Sequence, residues 1–212
     1  MSHKIIVVGI GPGDPAYLLP KARKIIEDAR ILVGGKRALA DHSHSGVREC
    51  AIGADIPGVL DFIRDALAED DVVVMVSGDP GYYSLLDALR RTFPVDQIGV
   101  VPGISSLQFA FARLALPWHT ARLLSFHGRE PLEAELFRAP DAMLGMLTDG
   151  RNNSQTIAAR LLSRGWRERD IMYVCTRLSY ADERVIETTL GAAQNDEGIG
   201  HGVIVVCAQE DL

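Results

Sequence analysis

Cysteine is scarce in this chain of 212 residues, and long apolar runs are missing. The three cysteines, Cys50, Cys175 and Cys207, lie far apart without C-x-x-C spacing, so the sequence indicates neither a disulfide framework nor a zinc site. No apolar stretch approaches the roughly 20 residues that span a bilayer, and no signal core precedes the short apolar run Ile5–Val8. We therefore expect reduced thiols, a cytoplasmic location and no membrane partner.

An excess of basic residues is also missing. Lysine and arginine number 22 against 28 aspartates and glutamates, which gives a formal net charge of −6. A protein that neutralises many phosphates needs the opposite balance, so nucleic acid is a disfavoured partner. The hydrophobic share of 47% and the charged share of 24% are typical of a packed globular protein.

Short β-branched runs alternate with helix-patterned stretches through the first half of the chain. This alternation predicts an α/β fold with a mostly parallel sheet. The predicted strands are Ile5–Gly9, Ile31–Val33, Val72–Val76 and Ile98–Val101. The predicted helices, from apolar residues at helical spacing, are Leu18–Asp28, Pro57–Glu69, Tyr82–Arg91 and Ile104–Leu114.

The pattern restarts around Leu116–Trp118. Because the chain is long enough for two lobes of roughly 100 residues each, we predict an N-terminal lobe over 1–115 and a C-terminal lobe over 116–212. One helix, near Ser154–Ser163, is predicted in the second lobe, whose sheet is expected to be mixed. Its predicted strands are Leu123–Phe126, Ala142–Leu147, Ile171–Cys175, Arg184–Thr188 and Val203–Ala208.

Four of the predicted strands end in loops rich in glycine, proline, aspartate or serine. In a parallel sheet such loops converge on one edge, where ligands usually bind. The loops are GIGPGDP over Gly9–Pro15, SGDPG over Ser77–Gly81, PGISS over Pro102–Ser106 and TDGR over Thr148–Arg151.

The first of these loops is a poor phosphate site. A dinucleotide fingerprint beginning at Gly9 and Gly11 needs a glycine at position 14, where this chain has Asp14. Pro12 and Pro15 remove amide donors, and Asp14 places a negative charge where a pyrophosphate would lie. No G-x-x-x-x-G-K-[ST] motif occurs either.

A neutral or cationic ligand suits these loops better. Asp79 adds a second carboxylate beside glycine-thinned backbone, and S-adenosylmethionine fits because its sulfonium is positive and it carries no phosphate. Ser105 and Ser106 open a predicted helix, and a helix cap uses one hydroxyl, so the hydroxyl of the other serine is left for a ligand. The ring of Tyr82 could line the site. Each loop taken alone is equally consistent with a plain strand-terminating turn.

Together the loops resemble those of the tetrapyrrole methylase family, which includes uroporphyrinogen and precorrin methyltransferases and diphthine synthases. The resemblance covers essentially the whole chain and rests on VGIGPGDP, SGDP, PGISS and the strand Met143–Leu147. Within the family, GGKR from Gly34, SFHGR from Ser125 and LSYADER from Leu178 are similar to the branch that methylates carbon 5 of the corrin ring in cobalamin synthesis. That branch usually has proline where Ala181 stands, a departure outside the ligand loops.

The resemblance implies two αβα lobes with S-adenosylmethionine in a cleft between them, commonly in a homodimer. Enzymes of this branch act either as a stand-alone cobalt-precorrin-7 methyltransferase or as the N-terminal half of a precorrin-6Y methyltransferase, which also methylates carbon 15 and decarboxylates. A carbon-15 partner or fused domain is therefore implied as well. Carried over position by position, the donor contacts fall on Pro12, Ser77, Gly78, Asp79, Tyr82, Ser105, Ser106, Leu147 and Leu178.

The acetate and propionate arms of such a substrate need basic side chains, which bind carboxylates through charge-assisted hydrogen bonds. For each basic candidate, the competing interpretation is a solvated charge on the protein surface. His127 is added as a substrate or proton contact, with a purely structural histidine as the competing interpretation. No residue stands out as a general base, so positioning is expected to dominate. The basic candidates are Lys36, Arg37, Arg129, Arg151 and Arg177.

A metal site and two alternative functions are weighed against this interpretation. His42 and His44 form an H-x-H pair, but no further ligand residue accompanies them, so no protein-bound metal is predicted. The substrate of a methylase with this fold could instead be a protein, an RNA or another tetrapyrrole. A non-catalytic nucleotide-binding domain would also explain glycine-rich strand ends.

Overall fold

The computed structural model describes residues 3–210. The chain divides between Ser105 and Ser106 into two compact units. Each unit contains one five-stranded sheet. The predicted division after residue 115 falls beyond the helix over Ser106–Arg113, which the structure assigns to the second unit.

The sheet of the first unit is parallel throughout, in the order β3-β2-β4-β1-β5. The central strands are continuous β-branched runs because both of their faces are covered, as is usual in parallel sheets. The strands are β1 (Ile5–Gly9), β2 (Ile31–Gly34), β3 (Arg48–Ala51), β4 (Val72–Val76) and β5 (Ile98–Val101).

Helices cover both faces of this sheet. Val7 and Val74 pack with Ile63 in one buried cluster, whereas Val8 and Val73 belong to another. Since successive side chains of a strand point to opposite faces, the two clusters lie on opposite sides. The helices are α1 (Pro20–Glu27), α2 (Lys36–His42), α3 (Ile56–Ala66) and α4 (Leu86–Thr92), with short 3₁₀ turns at Pro15–Tyr17 and Val95–Gln97.

The sheet of the second unit is mixed, in the order β6-β7-β10-β8-β9. Strands β6 and β7 pair in parallel, and the other neighbours are antiparallel, which confirms the predicted mixed sheet. The strands are β6 (Arg122–Ser125), β7 (Met143–Leu147), β8 (Ile171–Thr176), β9 (Arg184–Thr189) and β10 (Gly202–Cys207). The helices are α5 (Ser106–Arg113), α6 (Ser154–Leu162) and α7 (Leu190–Ala193), with a 3₁₀ turn at Glu133–Leu136.

A buried ion pair joins separate segments of the second unit. The Asp170 side chain is fully buried, and the guanidinium of Arg138 contacts its carboxylate at 2.9 Å. The amides of Arg167 and Gln209 also donate to this carboxylate, both at 2.8 Å. Burial alone raises the pKa of Asp170, but the bonds from Arg138 and the two amides outweigh it, so the pKa lies below the ordinary aspartate value.

The predicted strands match the observed ones to within one residue at each end, whereas three short elements of residues 3–210, apart from the 3₁₀ turns, were not predicted. These are β3, α2 and α7. The helix predicted over Tyr82–Arg91 begins only at Leu86, because residues 82–85 form turns. No helix among residues 3–210 is long and apolar enough to cross a membrane.

Candidate functional site

The loops that follow β1, β4 and β5 meet at the carboxyl edge of the first sheet, as the sequence predicted. These strands are neighbours and parallel. The loops also bond to one another: the Gly11 amide donates to the Gly78 carbonyl at 3.2 Å, and the Gly78 amide donates to the Gly11 carbonyl at 2.9 Å. The first two loops are therefore held together by backbone.

Glycine is required here because the three loops touch through their backbones. A Cβ atom on Gly9 would lie 2.6 Å from both the Gly103 nitrogen and the Gly78 oxygen. A Cβ on Gly103 would overlap the Gly78 oxygen and lie 2.8 Å from the carbonyl carbon of Gly9. We call Gly9, Gly78 and Gly103 the glycine junction.

Two carboxylates complete this edge by binding backbone amides. Oδ1 of Asp79 accepts from the Gly81 amide at 2.8 Å, and its Oδ2 accepts from the Gly103 amide at 3.0 Å. Asp79 thus links the loop after β4 to the loop after β5. Oδ1 of Asp14 accepts from the Ala16 amide at 2.8 Å and begins the first 3₁₀ turn.

This edge suits a ligand that is neutral or positive and carries no phosphate. The loop residues 9–15, 77–83 and 102–106 include no lysine or arginine, and the aspartates Asp14 and Asp79 leave negative charge among them. Pro12 and Pro15 have no amide hydrogen to offer an anion. A sulfonium compound with an adenosine group fits these donors and charges, whereas a pyrophosphate does not.

Six of the nine predicted donor contacts lie in the first unit, and all six belong to this edge. Ser77 is exposed and Gly78 is buried, while the others are partly exposed. The Tyr82 ring meets the Tyr83 ring edge to face, with centroids 4.6 Å apart. The predicted donor residues in these loops are Pro12, Ser77, Gly78, Asp79, Tyr82 and Ser105.

The remaining predicted donor residues belong to the second unit. Ser106 is the first residue of α5, and Leu147 is the last residue of β7. Leu178 follows β8 and is 6% exposed, so its side chain is committed to packing. Any contact of Leu178 with a ligand is therefore expected to be through its backbone.

The carboxyl ends of β6, β7 and β8 lie at one edge of the second sheet, because β7 and β8 are both antiparallel to β10. Predicted substrate residues follow each of these strands: His127 and Arg129 after β6, Arg151 after β7 and Arg177 after β8. Lys36 and Arg37 instead open α2 after β2, at the carboxyl edge of the first sheet.

Asp149 organises the edge of the second sheet. Its carboxylate accepts three backbone amides, from Asn152 at 2.7 Å, from Arg151 at 2.9 Å and from Gly128 at 3.1 Å. The bonds from Asn152 and Gly128 are the largest causes that lower the pKa of Asp149 to about 2. The carboxylate is therefore ionised at any working pH.

Arg177 already has a carboxylate partner. Its Nε lies 3.0 Å from Oδ2 and 3.1 Å from Oδ1 of Asp182, and its guanidinium carbon lies 4.2 Å from the centre of the Tyr180 ring. The pair is largely exposed, so solvent screens it and it adds little to stability. A substrate carboxylate would compete with Asp182 for Arg177.

Sequence reasoning assigned no role to several residues at this edge. The Thr148 hydroxyl donates to the Gly202 carbonyl at 3.1 Å and accepts from the Gly202 amide at 2.9 Å. The His201 ring lies against Gly150, where an added Cβ would be 3.0 Å from its Nε2. The T-D-G-x-N pattern from Thr148 is a turn signal that could have revealed Asp149 as a loop-binding carboxylate.

The sequence profile of the tetrapyrrole (corrin/porphyrin) methylases matches residues 4–194 of the chain. The chain belongs to this family. Tetrapyrrole methylases use S-adenosylmethionine, and the chain is accordingly a methyltransferase with that donor. Both predictions, the family and the cofactor, are confirmed.

Two curated relatives match this tetrapyrrole methylase along nearly its whole length. The cobalt-precorrin-7 C(5)-methyltransferase of Salmonella typhimurium is 32% identical over 95% of this chain and 98% of the relative. The decarboxylating precorrin-6Y C(5,15)-methyltransferase of a Sinorhizobium species is 31% identical over 99% of this chain but 50% of the relative.

Solved structures confirm the fold. The precorrin-6Y methylase of Archaeoglobus fulgidus has a TM-score of 0.73 at 25% identity, covering 99% of this chain and all of that one. The uroporphyrin-III C-methyl transferase of Thermus thermophilus, complexed with S-adenyl homocysteine, has a TM-score of 0.73 at 26% identity over 97% of this chain and 92% of that one.

Proposed function

We propose that this tetrapyrrole methylase transfers the methyl group of S-adenosylmethionine to carbon 5 of a cobalt-precorrin in cobalamin biosynthesis. The observation that carries the proposal is the 32% identity with the cobalt-precorrin-7 C(5)-methyltransferase, which extends over 98% of that relative. The 27% identity with a probable enzyme of the same name from Methanocaldococcus jannaschii, over 97% of both chains, supports it further.

The donor is proposed to bind through the predicted contact residues. It supplies a methyl group already activated by a positive sulfur, so the chain's task is to bind and orient. Correct orientation of two reactants can lower a barrier by several kcal/mol, about 7 or more in favourable cases. Asp79 and the glycine junction fix the loops that carry Ser77 and Ser105, which supports a rigid donor site.

The tetrapyrrole is proposed to bind through its carboxylate arms to Lys36, Arg37, Arg129, Arg151 and Arg177, with His127 as a further contact. The Nδ1 atom of His127 lies 3.3 Å from the Thr148 carbonyl, which can only accept a hydrogen bond. Nδ1 therefore carries the proton of the neutral ring, and Nε2 is left as an acceptor. This tautomer suits a proton contact at the substrate.

We also propose a cytoplasmic homodimer. Its three thiols are all free, which suits a reducing compartment. A partner or fused domain for the carbon-15 reaction is proposed on the evidence of the Sinorhizobium relative, of which this chain covers 50%.

The test is methylation with a donor carrying a ¹³C-labelled methyl group. The protein is incubated with a panel of precorrins, with and without cobalt, and the labelled carbon is located by NMR. We expect label at carbon 5 of a cobalt-precorrin. Label on uroporphyrinogen, or on RNA or protein alone, would contradict the proposed substrate. Calorimetry with S-adenosylhomocysteine, NAD and ATP is the accompanying check, and we expect binding of the first alone.

A further inference from the structure

The two loops that carry Arg129 and Arg151 are joined residue by residue. The Phe126 amide continues the strand pairing by donating to the Leu147 carbonyl at 2.8 Å. Each of the next bonds then involves a side chain. The side-chain Nδ2 of Asn152 donates to the Phe126 carbonyl at 3.1 Å, and Nδ1 of His127 lies 3.3 Å from the Thr148 carbonyl. The backbone amide of Gly128 donates to the Asp149 carboxylate at 3.1 Å.

The two oxygens of Asp149 have different tasks. Oδ1 accepts the amides of Arg151 and Asn152 and so closes the turn of its own loop. Oδ2 accepts the Gly128 amide and so reaches across to the loop after β6. One carboxylate therefore sets the shape of one loop and its distance from the other.

Each amide that Asp149 holds is next to a predicted substrate cation. Arg151 is held through its own amide, and Arg129 directly follows Gly128. Two arginines bind two carboxylate arms of a rigid ring well only if the backbone fixes their separation, because fixed donor geometry is what makes such pairs strong and specific.

A direct contact between Asp149 and the substrate is disfavoured. The tetrapyrrole proposed above is itself an acid, so its arms would repel an ionised carboxylate. The oxygens of Asp149 already accept three backbone amides. A negative charge is unexpected at an edge proposed to bind anions. The bonds by which Asp149 holds the two loops account for its presence there.

We propose that Asp149 is a positioning residue for the tetrapyrrole: it holds the loop after β6 against the loop after β7 and thereby sets the separation of Arg129 and Arg151. This proposal rests on the proposed function. It goes beyond it in naming a residue that controls substrate affinity without touching substrate or donor.

The decisive variant is Asp149→Asn. An asparagine has one acceptor oxygen, which can keep the bonds from Arg151 and Asn152, while its NH₂ group would face the Gly128 amide, donor against donor. Of the three bonds that Asp149 accepts, only the one from Gly128, which crosses between the loops, is lost. We expect KM for the tetrapyrrole to rise about tenfold with kcat changed less than about threefold, because binding remote from the reacting carbon acts on KM. Affinity for S-adenosylhomocysteine should not change.

A double-mutant cycle tests whether the effect passes through Arg129. In an Arg129→Ala background, Asp149→Asn should raise KM by less than about twofold, because the residue that it positions is gone. An undiminished tenfold effect in that background would contradict the proposal.

Asp55→Asn is the matched control. Asp55 also accepts a backbone amide, from Gly58 at 3.0 Å, and its replacement removes the same charge without touching these loops, so KM should stay at the wild-type value. An unchanged KM in Asp149→Asn, or a fall in kcat alone with a lower melting temperature, would overturn the positioning role. Wild-type protein that methylates no precorrin would overturn the proposed function instead, and the two failures are distinguishable.

Discussion

At the residue scale, Gly103 offers the sharpest test of the first ligand edge. Gly103→Ala places a methyl group against the Gly78 carbonyl and the Gly9 backbone, where no side chain can move aside. We expect a loss of about 2 kcal/mol in the free energy of unfolding, as for other overpacked sites, together with loss of S-adenosylhomocysteine binding. Thermal unfolding and calorimetry measure the two effects.

Gly99 provides the control in the same strand region. A Cβ on Gly99 would meet only the Ile5 carbonyl oxygen, at 3.9 Å, which is ordinary contact. Gly99→Ala should therefore change stability by less than about 1 kcal/mol and leave ligand binding intact. Equal effects of the two substitutions would show that close backbone packing does not define this edge.

The aspartates show how far the sequence could predict the site. Because these aspartates follow predicted strands, the sequence predicted carboxylates at the ligand edges. Asp79 lies in the loop after β4, at the carboxyl edge of the first sheet. The sequence could not show that Asp79 accepts the Gly103 amide or that Asp149 accepts the Gly128 amide. Those partners depend on which strands are neighbours, which local sequence does not encode.

At the element scale, the Asp170–Arg138 pair should control the acid stability of the second unit. Asp170→Asn leaves the largely covered Arg138 guanidinium without its carboxylate, and such a loss costs about 3 kcal/mol in comparable pairs. The aspartate is fully buried, and Arg138 contacts it at 2.9 Å. Chemical unfolding at neutral pH should show this loss, and an equal stability of variant and wild type would contradict it.

The pH dependence of this pair has a definite sign. The pKa of Asp170 is lower in the folded protein than the ordinary value, so the unfolded chain binds the proton first as the pH falls. The stabilisation is complete above about pH 5 and is lost from about pH 4 downward, through the folded pKa. The melting temperature of Asp170→Asn should therefore depend less on pH than that of the wild type over this range.

The elements that sequence reasoning missed have weak local signals. Strand β3 has the sequence RECA and is mostly exposed at the sheet edge, so it lacks the apolar run that predicted β4. Helices α2 and α7 have seven and four residues, too few for a periodic apolar face to be evident. Tertiary contacts, rather than local sequence preference, determine that β3, α2 and α7 form.

At the scale of the whole molecule, each of the three buried clusters found among residues 3–210 consists of residues from one unit. One cluster consists of residues between Leu124 and Val206, and the other two consist of residues between Ile5 and Val101. Each unit thus has a core of its own, which is the usual mark of a separate cooperative unit in native-state exchange.

Met146→Ala should reveal this independence. Met146 is fully buried in the core of the second unit, and its truncation should cost about 2–5 kcal/mol. Native-state hydrogen exchange should then accelerate in β7 and β10 while amides of β1 and β4 keep their protection. A matching truncation of Val74 should give the reverse pattern. Uniform acceleration in both units would mean that the chain unfolds as one cooperative body.

The glycine junction also divides the positions that an engineer could vary. Saturation libraries at Gly9 and Gly103 should return almost nothing but the parent residue, whatever tetrapyrrole is selected for, since the barrier there is steric and independent of the substrate. New substrate preferences should instead be sought at exposed positions such as Arg129 and Arg151. The binding site for the methyl donor and the binding site for its acceptor could thus evolve at different rates on one scaffold.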